Sequence, residues 1–318
     1  MNSNKNTQGI VESSIITGIL VILGILGMYM PFFGIFLFII PTPLIIIGQR
    51  QGVKYSVMSL IVATLIIIGF SNPIIALYII GLPGMVAIAI NIMIQKKAEA
   101  SMIVLVGAIT SVLTMILSIN LADSLLGISL IENMKEIFKQ SIEMQQYVGQ
   151  MTNSNEDLLT QSKEMLENME ALALVLIPSI IIIASALTSL INYKLATVIL
   201  KRTGNDVIEL GPFKEFRLSK NASLGMIVIM FLSFITSKTN IVNGETLLVN
   251  VSLLFQIVFV AQGLAVAVFF YTHYRLSKIL LILVIPLIFF SNMAVISLAI
   301  IGIVDIFMDL RKYARDTR

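Results

Sequence analysis

Ten apolar stretches, most of them long enough to cross a lipid bilayer, follow one another along the chain. A segment in lipid must satisfy its own backbone hydrogen bonds, so each stretch is predicted to be an α-helix. Hydrophobic residues make up 57% of the 318 residues and charged residues only 12%, about half the charged fraction of a soluble domain. At about 20 residues per crossing, we predict an all-α polytopic transmembrane bundle of eight to ten helices. The predicted helices cover 11–30, 32–48, 54–71, 74–94, 101–121, 171–193, 222–237, 247–271, 278–290 and 292–309.

The second and ninth stretches are short for a full crossing, so they are tilted, re-entrant or buried among their neighbours. The last apolar run is flanked by the basic segments 272–278 and 311–318 and is broken by Pro286. A straight helix of about 32 residues would be about 48 Å long, against a hydrocarbon core of about 30 Å. The run is therefore predicted to be a short helical hairpin that returns to the side from which it entered.

The distribution of cations predicts the orientation of the chain. With alternating crossings and a cytoplasmic N-terminus, all but four of the 21 Lys and Arg residues fall on the cytoplasmic side, where such residues concentrate. The four exceptions are Lys135, Lys139, Lys163 and Lys238. Both termini are therefore predicted to be cytoplasmic, in the cell membrane of a bacterium. We expect one integral membrane domain over 1–318, made of helices in 11–121, a hairpin in 122–170, helices in 171–310 and a basic tail in 311–318.

The segment 122–170 contains nine acidic residues and three lysines, unlike the rest of the chain. Apolar residues recur every three or four positions from Ile131 to Val148, which indicates an amphipathic helix. Ser154 or Asn155 can cap a second helix that starts at Glu156 and runs into the sixth membrane helix. We predict an extracytoplasmic helical hairpin, which is either a solvated connector or a lid over a binding cavity.

The segment 194–221 is the main predicted cytoplasmic loop. Its part 211–220 interleaves Phe213 and Phe216 with Lys214 and Arg217. Aromatic rings and cations in this mixture suit the headgroup zone of a membrane. The loop is predicted to be either an interfacial anchor or a docking site for a partner. Nucleic-acid binding is not expected, because the basic residues are spread along membrane boundaries.

Polar residues within the apolar stretches are functional candidates, since they are costly in lipid. Ser111 and Thr114 share one face of the fifth helix with Gly107 and Ser118, and Ser185, Ser189 and Asn192 share a face of the sixth. Hydroxyl groups can bond to the carbonyl one turn back, which favours packing for both faces, and Ser111 and Thr114 are in addition candidates to line a cavity. Asn250, Gln256 and Gln262 are predicted either to bond across helices or to line a cavity.

Asp305 and Asp309 are four residues apart and so lie on one helical face. They are predicted to meet a cation such as Arg311, either as a structural charge cluster or as a cation or proton-coupling site. The sequence has no cysteine and a single histidine, His273, so no metal site is expected. It contains no phosphate-binding loop and no hydrolase motif. We therefore expect neither an enzyme nor a cofactor.

Several segments together resemble the YybS-like family of bacterial integral membrane proteins, whose function is unknown. They are Pro31–Gly34 with 39–54, 190–202, 211–218, 261–278 and 301–312. The first half is also faintly similar to the substrate-binding (S) subunits of energy-coupling-factor transporters. Those subunits use small residues four apart on their first helix to meet a coupling subunit, and here the matching positions are Ser14 and Gly18.

Two functions remain open from the sequence. The first is a transport-type protein that binds a small molecule, with another membrane protein or a coupling subunit as its partner. The second is a non-catalytic scaffold in the lipid bilayer, which recruits a partner through the 194–221 loop or the 122–170 hairpin.

Overall fold

The computed structural model describes residues 2–152, 156–239, 243–276 and 291–312. Its described residues form helices and turns and contain no strand, so the predicted all-α class is confirmed. The predicted ninth helix, the cap at Ser154 or Asn155 and the tail beyond Lys312 lie outside these residues.

The helices are named here in chain order. They are α1 (Asn2–Tyr29), a 3-10 helix (Pro31–Ile39), α2 (Pro41–Arg50), α3 (Val53–Ile68), α4 (Pro73–Ala76), a π-helical segment (Leu77–Gly81), α5 (Leu82–Gln95), α6 (Ala100–Leu126), α7 (Leu130–Met151), α8 (Glu156–Arg202), a 3-10 turn (Phe213–Glu215), α9 (Lys220–Ser237), α10 (Gly244–His273) and α11 (Asn292–Met308).

Within the described residues, seven helical segments are long and apolar enough to cross a membrane. Two further apolar helices, α3 and α11, are shorter. The predicted amphipathic helix corresponds to α7, and the predicted second hairpin helix and sixth membrane helix form the single helix α8. The predicted loop at 194–221 starts later than expected, because α8 continues to Arg202 and ends before Gly204, whose φ is +79°. Gly149 of α7 lies against Leu159 of α8.

Prolines explain where the helical geometry changes in the first half of the chain. A proline has no N–H to donate, and its ring clashes with the carbonyl four residues earlier. The predicted second helix is accordingly split, with a 3-10 helix before Pro41 and an α-helix from that residue onward. The predicted fourth helix also changes geometry, because a π-helical turn over 77–81 precedes Pro83.

The chain divides into two compact units. The first consists of Met1–Leu174 and Ile180–Leu210, and the second of Val175–Ser179 and Gly211–Arg318. The core of the first unit is built from buried aliphatic side chains of α1 to α6, with Tyr193 of α8. Many large apolar side chains of the same helices are exposed, as expected for surfaces that face lipid.

In the second unit, α10 and α11 cross at very close range. A Cβ atom at Gly263 would lie 2.0 Å from the carbonyl oxygen of Leu298, and one at Gly302 would lie 2.1 Å from that of Phe259. Small residues at such crossings let helix backbones approach one another in membranes. This contact brings Gln262 of α10 beside Asp305 of α11 and so positions the polar cluster described next.

Candidate functional site

Asp305 and Arg311 form a buried ion pair at the end of α11. The Asp305 side chain is fully buried and that of Arg311 nearly so, and Arg311 Nη2 lies 2.7 Å from Asp305 Oδ2. The pairing is possible because α11 ends at Asp309, whose φ of +50° reverses the chain so that Arg311 folds back. Asp and Asn tolerate this left-handed conformation better than other side chains.

The remaining groups of this pair are bonded to α10 and to the loop 211–218. Gln262 donates to Asp305 Oδ2 at 2.7 Å and accepts a bond from the Leu218 backbone N–H at 3.0 Å. Arg311 donates to the backbone carbonyls of Lys214 and Phe216 at 2.8 and 3.0 Å. The buried charges are thus surrounded by hydrogen-bond partners, which is the condition for such a pair to be tolerated.

A second ion pair lies at the exposed edge of this cluster. Arg217 Nη1 donates to Asp309 Oδ2 at 2.8 Å, and Arg217 Nη2 donates to the Asp305 carbonyl at 3.2 Å. The Arg217 hydrogen bond holds the pKa of the Asp309 carboxyl below its ordinary value. Each of the two carboxylates is therefore paired with a different arginine, Asp305 with Arg311 and Asp309 with Arg217.

The cluster fixes the backbone of the loop 211–218, which was predicted to be an interfacial anchor or a docking site for a partner. Phe213 and Phe216 have stacked rings with centroids 6.3 Å apart and are 49% and 41% exposed. The buried Arg311 donates to the backbone carbonyls of Lys214 and Phe216, and the Lys214 residue is half-buried. The loop therefore presents two aromatic side chains in a defined arrangement.

Asn250 of α10 bridges an interruption in α8. Pro178 cannot donate within the helix, and the next residue, Ser179, donates its backbone N–H to Asn250 Oδ1 at 3.0 Å. Asn250 Nδ2 in turn donates to the Val175 carbonyl at 2.8 Å. These two backbone groups are the ones that an uninterrupted helix would join to each other. The Asn250 amide thus bridges the donor and the acceptor of one missing helical hydrogen bond, and it ties residues 175–179 to α10 within the second unit.

The other predicted polar residues have different surroundings. Gln262 is engaged in the cluster described above, whereas Gln256 is exposed on α10. Ser111 and Thr114 are buried on α6, where Thr114 donates to the Ser111 carbonyl. On α8, Ser189 donates to the Val104 carbonyl, and Asn192 donates to the Phe38 carbonyl. The bonds of Ser189 and Asn192 therefore join different segments of the chain, whereas the bond of Thr114 stays within α6.

A cavity of about 380 Å³ lies in the first unit. Binding pockets for small molecules begin at about 300 Å³, so this volume suffices for a small ligand. Most of its lining residues are apolar, and Tyr78, Ser118 and Asn133 are the polar ones. The lining residues are Gly27, Met28, Leu37, Ile74, Ile75, Tyr78, Ile79, Leu82, Ser118, Ile119, Leu121, Ala122, Leu126, Ile128, Leu130 and Asn133.

The cavity lies at the end of α6 where the chain turns into α7. The turn passes through Gly127, which has a φ of +65°, and the first turn of α7 then contributes Leu130 and Asn133 to the wall. The start of the predicted hairpin is therefore part of a cavity. None of the five residues predicted as candidates for a cavity lines this one: Asn250, Gln256, Gln262, Ser111 and Thr114.

A family model described as "Predicted membrane protein (DUF2232)" matches residues 18–306 of this chain. The chain belongs to this family. The region shared with the DUF2232 family contains every cavity-lining residue as well as Gln262 and Asp305, and it ends before Arg311. The predicted family resemblance and the multi-pass membrane class are thereby confirmed.

The chain is 24% identical to the "Uncharacterized protein YybS" of Bacillus subtilis (strain 168) over 311 residues. This match covers 96% of the chain and 98% of the relative. No solved structure matches the chain. The faint similarity to S subunits stays a prediction, and the predicted contact positions Ser14 and Gly18 are exposed on α1.

Sequence reasoning missed most of the cavity. One signal for it was available, because Pro83 follows an Asn72-Pro73 break closely and so predicts irregular helical geometry between them. The π-helical turn at 77–81 supplies Tyr78 and Ile79 to the lining, and such turns are frequent at functional sites. Asn133 carried no signal, since an isolated Asn on a polar helix looks like any solvated residue.

Proposed function

We propose that this chain is a non-enzymatic, transport-type membrane protein that binds a small molecule in the cavity of its first unit. The observation that carries the proposal is the cavity itself, because its volume and mostly apolar lining are those of a small-molecule site. Two parts of its wall support the proposal. The break between α4 and α5 is of a kind found in transporter binding sites, which are commonly formed by discontinuous helices. The turn into α7 is a connecting segment, and connecting segments often carry function.

Filling the cavity tests this proposal. Ala122 of α6 lines the cavity, so Ala122→Trp is expected to occupy much of its volume. Leu113, on the same helix, is 63% exposed, and Leu113→Trp adds the same ring outside the cavity. Native mass spectrometry of protein purified from bacterial membranes is expected to show a bound small molecule in the wild type and Leu113→Trp but not in Ala122→Trp. The same bound mass in all three proteins, or none in the wild type, would contradict the proposal.

The loop 211–218 supports a second candidate function, which is the recruitment of a partner protein. Its exposed aromatic pair is held in place by a buried arginine, an arrangement that a solvated connector does not require. A photo-crosslinking amino acid at Phe213 is expected to yield one discrete adduct in native membranes, and the adduct is expected to disappear with Arg311→Met. The same probe at Phe231, 63% exposed on α9, is the control. Identical products from both positions would count against recruitment.

A further inference from the structure

The lining of the cavity limits the charge of the molecule that it can hold. Among the described residues that line it, none carries a charged side chain. Moving an ion from water into such surroundings without a partner costs several kcal/mol, on the order of the penalty for an unpaired buried charge. A ligand that places a carboxylate, a phosphate or an ammonium group inside the cavity would bear this penalty in full.

The polarity of the lining changes from the floor to the rim. Leu82 and Ile79 are 3% and 5% exposed and form an apolar floor, together with Ser118, whose hydroxyl proton is already donated to the Thr114 carbonyl. Asn133 is exposed, and Tyr78 is 50% exposed. The polar groups that remain available to a ligand therefore lie at the rim.

Asn133 is suited to recognise a neutral polar group. Its carboxamide offers both a donor and an acceptor, and it has no hydrogen-bond partner among the described residues. A hydroxyl or an amide can use both functions at once, whereas a carboxylate can use only the donor of the amide and a cationic ammonium group has no acceptor to offer it.

We infer that the cavity takes an uncharged amphipathic molecule, with its apolar body on the floor and a neutral hydroxyl or amide at Asn133. This inference rests on the proposed function, and it adds the chemical class and the orientation of the ligand. The volume of about 380 Å³ restricts the enclosed part to a compact or single-chain group.

Photoaffinity labelling with a matched probe set tests the inference. The probes are four ten-carbon chains that carry the same diazirine and end in a hydroxyl, a carboxylate, a trimethylammonium group or a methyl group. The full chain is placed in phosphatidylcholine nanodiscs, and labelled peptides are quantified by mass spectrometry. The alcohol is expected to label the cavity-lining segments at least several-fold more than the two charged probes.

Two variants separate this inference from the proposed function. Asn133→Leu is expected to lower labelling by the alcohol several-fold and to leave labelling by the alkane unchanged, while Asn120→Leu on α6 serves as a matched control. Ala122→Trp, or Ala122→Phe if the former does not elute as a single species, is expected to lower labelling by both neutral probes.

The outcomes are distinct. A carboxylate or ammonium probe that labels the cavity as well as the alcohol, or an unchanged alcohol signal in Asn133→Leu, would overturn the ligand class while the cavity remains a binding site. Cavity labelling by none of the probes, or labelling that Ala122→Trp and Ala122→Phe leave intact, would overturn the proposed function as well.

Discussion

At the scale of single residues, the contribution of the Asp305–Arg311 pair to the free energy of folding is a small difference between two large opposing contributions. Desolvation of both charges opposes the pair, and their attraction and their bonds to Gln262 and to two loop carbonyls favour it. The net stabilisation is small compared with the penalty for leaving one charge behind. Removing one partner is therefore expected to lower the stability of the protein by much more than the intact pair contributes to it.

Asp305→Leu and Arg311→Met are each expected to destabilise the protein by about 3–5 kcal/mol, because each leaves a buried charge unpaired. The double variant is expected to recover part of the loss, since no unpaired charge remains, while the Lys214 and Phe216 carbonyls still lack their donor. The chain has no Trp, so stability is measured by size-exclusion chromatography of a heated fluorescent-protein fusion. Lys220→Met, at an exposed position, is the control. Additive losses in the double variant would rule out a coupled pair.

The outer pair gives a dependence on pH. The Arg217 hydrogen bond lowers the pKa of Asp309 in the folded state, so the pair stabilises the protein above the unfolded-state pKa of about 3.9 and loses this effect as pH falls through the folded-state value. Asp309→Asn, which tolerates the left-handed backbone, is expected to be less stable than the wild type at pH 7. This difference is expected to shrink below about pH 3.9. Glu143→Gln is the control, and a difference that stays constant with pH would contradict the assignment.

At the scale of helices, Asn250 and Pro178 form one functional pair. Asn250→Leu leaves the Ser179 N–H and the Val175 carbonyl without a partner, which costs about 1–3 kcal/mol. Pro178→Ala restores an N–H and allows α8 to close its own bonds. We therefore expect Pro178→Ala to rescue much of the stability that Asn250→Leu loses, as measured by the same heating assay. Asn120→Leu, which removes an exposed Asn bonded to its own helix, is expected to be nearly neutral. A double variant that is no more stable than Asn250→Leu would show that the two residues are independent.

The helices and the polar contacts could be predicted from the sequence to different extents. Apolar runs predict helices because lipid leaves the backbone no alternative, and the predicted starts of α3, α6 and α9 lie within two residues of the observed ones. The pairing of Asp305 with Arg311 was accessible, since the two are close in the chain. The partner of Asp305 on α10 was not, because the contact of Gln262 depends on a crossing that Gly263 and Gly302 allow. The same holds for Asn250, whose partner is the backbone beside a proline 72 residues away in the sequence.

At the scale of the whole molecule, the side of the membrane on which the cavity opens depends on α3. The 16 residues of α3 span about 24 Å, less than the hydrocarbon core of about 30 Å. If α3 crosses, five crossings precede α7 and place it opposite the N-terminus; if it does not, α7 lies on the same side. The basic residues favour a full crossing, because only a crossing α3 places the pair Lys96 and Lys97 on the same, cytoplasmic side as Arg50 and Lys54.

Reporter fusions decide between these two topologies. Alkaline phosphatase is active only outside the cytoplasm, and a green fluorescent protein that is exported unfolded fluoresces only inside. We expect phosphatase activity and no fluorescence from fusions at residue 150, and the reverse from fusions at the C-terminus. Fusions in the turn between α2 and α3, after Gln51, serve as the cytoplasmic control, because two crossings precede this turn in both topologies. Fluorescence from position 150 would contradict a crossing α3 and would place the cavity rim, with Asn133, on the cytoplasmic face.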